Sequence, residues 1–202
     1  ILHTGLQQDP TNKIIPSNRL LELRGLTPQQ WQRMLICADD EFMRNYVDIG
    51  VERLLLVTPN VETSKILRYK PYMQKAEGEL ERTKIKTSNF FAKSRYENAK
   101  EEEEDTIKQI TTMLANAKVL LKQKRFSLLH LSQIYQIIRF EDYDEDRLLV
   151  ILRRMRLLKF ARRMVHILSE YLYLEDGYAP FAPLNDKKAR PIIESIINKD
   201  KY

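Results

Sequence analysis

The sequence predicts a mainly α-helical protein, in which an N-terminal helical domain is followed by a C-terminal domain of helices and a small β element. Glycine accounts for only 5 of the 202 residues, whereas charged residues account for 31%. Few turn residues and many charges favour helices over a β-sandwich. Hydrophobic residues make up 43% of the chain, which is enough to form a core, and they recur at helical spacing through most of its length.

Residues 1–26 are predicted to form a polar N-terminal arm, and a helical domain is predicted over 27–122. Its first helix begins at Thr27, which can cap the first N–H groups, while Pro28 suits the first helical position and Gln30 completes a capping box. The helix is expected to run to about Gly50. Its apolar stripe consists of Trp31, Met34, Leu35, Ala38, Phe42 and Met43.

The rest of the helical domain contains an apolar run, a long charged helix and a strongly amphipathic helix. The run Val51–Val57 is interpreted as a buried strand or a helical turn, and the long charged helix is predicted from Val61. The acidic run Glu101–Asp105 suits the start of a further helix because carboxylates are stabilised at the positive end of the helix dipole. The apolar residues of that helix are Ile107, Ile110, Met113, Leu114, Ala117, Leu120 and Leu121.

The segment 126–175 follows a different pattern. A short apolar stretch leads into a helix, an acidic turn, a second helix over about 144–158, and an alternating run that ends at the Asp176–Gly177 turn. This order resembles the winged-helix superfamily over about a quarter of the chain. The resemblance implies a short strand near 126–129, a recognition helix over 144–158 and a β wing over 160–175.

A second interpretation of the same segment remains open. The apolar residues after the second helix fit helical spacing as well as strand alternation, which would make 144–174 one long helix without a wing. These residues are Phe160, Met164, Ile167, Leu168 and Tyr171. The tail, 176–202, is predicted to carry a short amphipathic helix that docks on the main body or on a partner.

The stretch from Arg147 to Arg163 contains seven cations and no acidic residue. They alternate with apolar residues at a period that gives a helix one buried face and one cationic face. Together with the net charge of +6, this pattern predicts a nucleic-acid-binding subunit of a multiprotein assembly, with DNA favoured over RNA. The predicted phosphate contacts are Arg147, Arg153, Arg154, Arg156, Lys159, Arg162 and Arg163.

The alternative is a structural scaffold subunit that binds only other proteins. In that case the arginines pair with the acidic residues of 101–105 or 141–146, or with an acidic partner. Under either hypothesis other protein subunits are expected to bind at apolar side chains, and the aromatic ones can alternatively stack on single-stranded bases beside nearby lysines and arginines. The predicted partner-binding residues are Phe90, Phe91, Tyr96, Ile192, Ile193 and Ile196.

No catalytic or cofactor-binding pattern is present in the sequence. The three histidines are far apart, Cys37 is the only cysteine, and the carboxylates of 39–41 and 142–146 point in different directions, so neither a metal site nor an enzyme is predicted. No cofactor and no small-molecule substrate are expected. The apolar runs are shorter than the ~20 residues that cross a membrane, and a single, buried cysteine suits an intracellular protein, cytoplasmic or nuclear.

Overall fold

The computed structural model describes residues 1–9, 17–60, 80–101 and 103–197, and the chain divides into two compact units, 1–78 and 79–202. The helices described in the first unit are α1 (Leu2–Leu6), α2 (Ser17–Arg24), α3 (Pro28–Asp40) and α4 (Arg44–Arg53). Those described in the second are α5 (Phe90–Lys100), α6 (Asp105–Lys122), α7 (Leu128–Phe140), α8 (Glu145–Arg154), α9 (Leu158–Leu172) and α10 (Arg190–Ile197), with a short 3-10 helix at Asp176–Tyr178. The charged helix predicted from Val61 was expected to continue through Lys84, Lys86, Lys93 and Arg95. Its part over 61–79 lies outside the described residues, and the prediction was wrong for 80–89, which are not helical and precede α5.

The predicted β structure of the C-terminal domain was wrong. Residues 126–175 are all described and contain no strand, and the expected wing is the helix α9. Phe160, Met164 and Leu168 are buried along one face of this helix. Their spacing of four residues gives a continuous apolar face, and packing of that face outweighs the short alternation that precedes Asp176. Residues 126–175 therefore lack the strands that the winged-helix resemblance implied.

The single long helix over 144–174 was also wrong, because the chain turns at 155–157 between α8 and α9. The strand expected near 126–129 is instead the start of α7. Ser127 caps this helix by accepting a hydrogen bond from the His130 N–H, and Nδ1 of His130 accepts one from the Ser127 N–H at 3.0 Å. Histidine here takes the place of the usual Glu or Gln of a capping box.

Helix α3 begins at its Thr27 capping box and buries Trp31, Leu35 and Ala38, as the sequence predicts. It ends at Asp40 rather than near Gly50, because Phe42 adopts a left-handed backbone with φ of 57°. The side chain of Phe42 consequently leaves the predicted stripe and is exposed. Cys37, which was expected to be buried, is also exposed on the outer side of α3.

Two glycines allow α1 to lie directly on α4. A Cβ atom at Gly5 would overlap the carbonyl oxygen of Tyr46, and a Cβ atom at Gly50 would overlap that of Ile1. Arg53 completes the contact, because its Nη1 donates to the carbonyl oxygens of Thr4 at 2.8 Å and Gln7 at 2.7 Å. Gly50 is thus a packing residue within α4 and not a helix end.

The second unit is built around α6, which packs against α7, α8 and α9. The sequence correctly predicts this helix, yet its polar side is also covered by protein. Thr111, Thr112 and Asn116 are as inaccessible as the apolar residues Ile107 and Met113. A helix covered on all sides has to satisfy its polar groups within the protein.

Asn116 satisfies this requirement by holding the non-helical segment 80–89 against the core. Its Nδ2 donates to the carbonyl oxygens of Glu81 at 3.1 Å and Lys84 at 2.9 Å, and its Oδ1 accepts from the Lys86 N–H at 2.8 Å. Oε1 of Gln133 accepts from the Leu80 N–H at 2.8 Å. The backbone of this segment is therefore attached to α6 and α7 through side-chain hydrogen bonds.

The substitution Gly50→Ala is expected to lower the free energy of unfolding by about 1–3 kcal/mol, because the added methyl group forces α1 away from α4. Gly25→Ala is the matched control, since its Cβ meets nothing closer than 3.6 Å. Urea unfolding of both variants measures the difference. Equal stability of the two variants would contradict the close approach of α1 and α4.

The substitution Asn116→Ala is expected to cost about 2 kcal/mol or more, since it leaves two carbonyl groups and one N–H without their partner. Asn98→Ala, at an exposed position of α5, serves as the control. Urea unfolding gives the energies, and hydrogen exchange should accelerate at the Lys86 amide in the first variant only. An unchanged exchange rate at Lys86 would show that Asn116 does not hold the segment.

Candidate nucleic-acid interface

In helix α8 the acidic residues lie at the N-terminus and two exposed arginines lie at the C-terminus. Asp144 caps the N-terminus by accepting a hydrogen bond from the Arg147 N–H at 3.0 Å, and Glu145 and Asp146 follow in the first turn. Arg153 and Arg154 occupy the last turn and are exposed. This distribution follows the helix dipole, which favours anions at the start of a helix and cations at its end.

The turn after α8 directs a third arginine into solvent. The N–H of Leu157 donates to the Leu152 carbonyl at 2.9 Å, and the N–H of Arg156 donates to the Arg153 carbonyl at 3.0 Å, which is the hydrogen-bond pattern of a Schellman motif. Arg156 occupies the left-handed position with φ of 57°. Its neighbours Met155 and Leu157 are both fully buried, whereas the Arg156 side chain is exposed.

We use the name cationic corner for Arg153, Arg154, Arg156 and Lys159, which lie at the junction of α8 and α9. All four are exposed. In the described part of the chain, no ion pair or side-chain hydrogen bond engages them. The corner is therefore a group of cations that the described residues do not neutralise.

The other three predicted phosphate contacts have structural partners. Nε of Arg147 donates to Glu103 at 2.6 Å, as the scaffold hypothesis expected for the acidic residues of 101–105. Nε of Arg162 donates to the carbonyl oxygen of Ala182 at 2.8 Å. Arg163 forms a two-pronged pair with Asp186, at 2.8 and 2.6 Å, which lowers the pKa of that carboxyl group to about 2. These arginines attach neighbouring segments to α8 and α9.

A second group of cations joins Arg163, one of the predicted phosphate contacts, and Arg95 to Lys118 and Lys122, which were not identified as site residues from the sequence. We name it the three-helix cluster: Arg95 on α5, Lys118 and Lys122 on α6, and Arg163 on α9. Burial lowers the pKa of Lys118, and repulsion from Lys122, Arg95 and Arg163 lowers it further. The four-residue spacing of Lys118 and Lys122 was the available sequence signal, but the approach of the other two depends on packing.

Only two of the six predicted partner-binding residues lie on the surface. Phe90 and Phe91 are each 78% exposed, and their rings meet edge to face with centroids 5.9 Å apart. Asn89 fixes their position at the start of α5 by accepting a hydrogen bond from the Ala92 N–H at 3.0 Å. The remaining four are buried in this chain, namely Tyr96, Ile192, Ile193 and Ile196.

The described residues contain no group of three His, Cys, Asp or Glu side chains arranged to hold a metal ion. None of the described helices combines the length and the apolar character needed to cross a membrane. An open cavity of about 390 Å³ is lined by Glu97, Asn98, Lys100, Glu101 and Lys108, and its two lysines are balanced by two glutamates. Attraction for an anion is therefore expected at the corner and the cluster rather than at this cavity.

The turn at Arg156 gives a stability test that is independent of any ligand. Arg156→Gly is expected to raise the free energy of unfolding by about 1 kcal/mol, because glycine adopts the left-handed backbone without a Cβ clash. Lys124→Gly should have the same effect, since Lys124 occupies the equivalent position after α6 with φ of 56°. Thermal and urea unfolding measure both.

Lys93→Gly is the control for this test, because Lys93 lies within α5 and is exposed. Glycine there should cost about 1 kcal/mol. Destabilisation of all three variants to the same extent would contradict the left-handed turns.

No protein-family model, no curated protein and no solved structure matches the chain.

Proposed function

We propose that this protein is a non-enzymatic nucleic-acid-binding subunit of a multiprotein assembly and that the cationic corner is its phosphate-contacting surface. The observation that carries the proposal is the exposure of four cations within residues 153–159, none of them engaged by a described acidic group. A polyanion such as DNA supplies closely spaced phosphates that such a surface attracts. DNA is proposed ahead of RNA.

The backbone at the corner supports the same proposal. The buried residues Met155 and Leu157 fix the turn that carries Arg156, so the backbone at this position loses little conformational entropy when a phosphate is bound. Helix α9 begins after Leu157, which provides no side-chain cap. The first N–H groups of the helix, which have no partner within it, can therefore add to the attraction for an anion that the nearby arginines and lysine supply.

The contacts proposed for the cationic corner are to phosphates rather than to bases. Arginine suits them because its planar guanidinium can bind two phosphate oxygens at once. Affinity should consequently vary little with sequence and should fall steeply with salt, as counterions compete for the phosphates.

A scaffold subunit is the second candidate function, and specific observations favour it. Arg147 and Arg163 pair with carboxylates of this chain, and Phe90 and Phe91 are exposed in the manner of a protein contact. On that hypothesis the corner meets an acidic protein surface. The two candidate functions therefore assign different ligands to the cationic corner, a nucleic acid in the first and an acidic protein in the second.

The test compares a corner variant, Arg153→Ala, Arg154→Ala, Arg156→Ala and Lys159→Ala combined, with the wild-type chain. Fluorescence anisotropy with labelled duplex DNA is measured over a series of salt concentrations. The corner variant is expected to bind at least about tenfold more weakly. Its plot of log affinity against log salt concentration should be less steep, by about 0.9 for each duplex phosphate that the variant no longer neutralises.

A charge-matched variant controls for net charge. It combines Arg24→Ala, Arg33→Ala, Lys187→Ala and Lys188→Ala, all at exposed positions outside the corner. Its affinity should stay within a few-fold of the wild type. Equal weakening in both variants, or no binding by the folded wild type at low salt, would refute the proposal, and binding to an acidic polypeptide alone would support the scaffold.

A further inference from the structure

Helix α9 connects the corner to the three-helix cluster. Lys159, Arg162 and Arg163 are spaced by three and four residues, so they project from the same side of the helix. One turn, about 6 Å along the axis, separates Lys159 of the corner from Arg163 of the cluster. The two cationic groups therefore adjoin each other.

Packing extends the cationic surface from α9 onto α6 and α5. Helix α9 contacts α6, and α5 contacts α8. The charges of Lys122, Arg95 and Arg163 all act on Lys118. Asp186 offsets the charge of Arg163 only. With Arg163 paired to Asp186, the charges of the cluster that no described carboxylate pairs with are those of Arg95 on α5 and of Lys118 and Lys122 on α6. An anion bound there would relieve their mutual repulsion.

Two exposed aromatic rings stand beside this surface. Phe91 lies four residues before Arg95, which places both on one side of α5. Phe90 stands next to it, and the two rings are oriented at 77° to each other, so they present differently directed faces. A duplex cannot use these faces because its bases are stacked inside, whereas the unpaired bases of a single strand can lie on them.

We infer that the corner, the three-helix cluster and the Phe90–Phe91 pair form one binding surface for single-stranded nucleic acid, with phosphates along the cations and bases stacked on the two rings. This inference rests on the proposed function and specifies its ligand. It uses charge and aromatic faces together, which is how proteins hold single strands without reading their sequence.

The test uses the intact chain and two labelled probes, an oligo-dT strand and a duplex DNA of mixed sequence. Phe90→Ala and Phe91→Ala are each expected to weaken binding of the single strand about tenfold, as removal of one base–aromatic stack does, with duplex affinity unchanged within about twofold. Phe42→Ala, an exposed phenylalanine of the first unit, is the matched control and should change neither affinity.

A cluster variant, Arg95→Gln with Lys122→Gln, tests the cationic part separately. For single-strand binding, the plot of log affinity against log salt concentration should become less steep, by about 0.7 for each phosphate that the variant no longer neutralises. Thermal unfolding verifies that every variant is folded, and substitution of exposed rings leaves the buried core unaltered.

The outcomes distinguish this inference from the proposed function. Unchanged single-strand affinity in both phenylalanine variants would overturn the inference, while weaker duplex binding by the corner variant would still support the proposed function. Equal weakening of duplex and single strand by Phe91→Ala would also overturn it. Absence of nucleic-acid binding by the folded wild type would overturn both.

Discussion

Burial of the middle of α6, residues 110–117, on all sides is the constraint on which the second unit depends. A helix surrounded by α7, α8 and α9 cannot leave polar groups to water, and each one needs a partner within the protein. Asn116 finds three partners in the segment 80–89, and the Thr111 hydroxyl donates back to the carbonyl oxygen of Ile107. Among the described side chains, Thr112 is the exception, because its buried hydroxyl has no hydrogen-bond partner.

Because its middle is buried, α6 carries its charged side chains toward its two ends. Its middle accepts no charged side chain, so Asp105 lies at the start, while Lys118 and Lys122 lie near the end. That end faces α9, whose own cations begin at Lys159. Positive charge is thus concentrated around the end of α6 and the start of α9, outside the part of α6 that the core covers.

The cationic corner also follows from apolar packing. Leu152 and Leu157 occupy the core on either side of the turn, and the intervening backbone closes only if Arg156 adopts the left-handed conformation. That conformation costs a residue other than glycine about 1–2 kcal/mol. The corner therefore combines a local backbone cost with an exposed charge.

Local sequence patterns specify the helical nature of the chain, the start of α3 at its Thr27 capping box and most of the apolar face of α6. Capping and periodicity involve residues within a few positions of one another, which is why these features can be predicted without the fold. The helix ends could not be predicted in this way. Phe42, Leu55, Lys124, Arg156 and Tyr173 all take left-handed backbones without glycine, so the usual stop signal is missing from the sequence.

Which cations remain exposed depends instead on tertiary packing. Arg147 and Arg163 have a similar sequence context to Arg153 and Arg154, yet their carboxylate partners lie 44 and 23 positions away in the chain. Packing likewise makes the predicted wing a helix and places Ile192, Ile193 and Ile196 in the core. Periodicity specifies which side of a helix is apolar, but the surface that covers that side comes from distant residues, and so burial and ion pairing are settled by the fold.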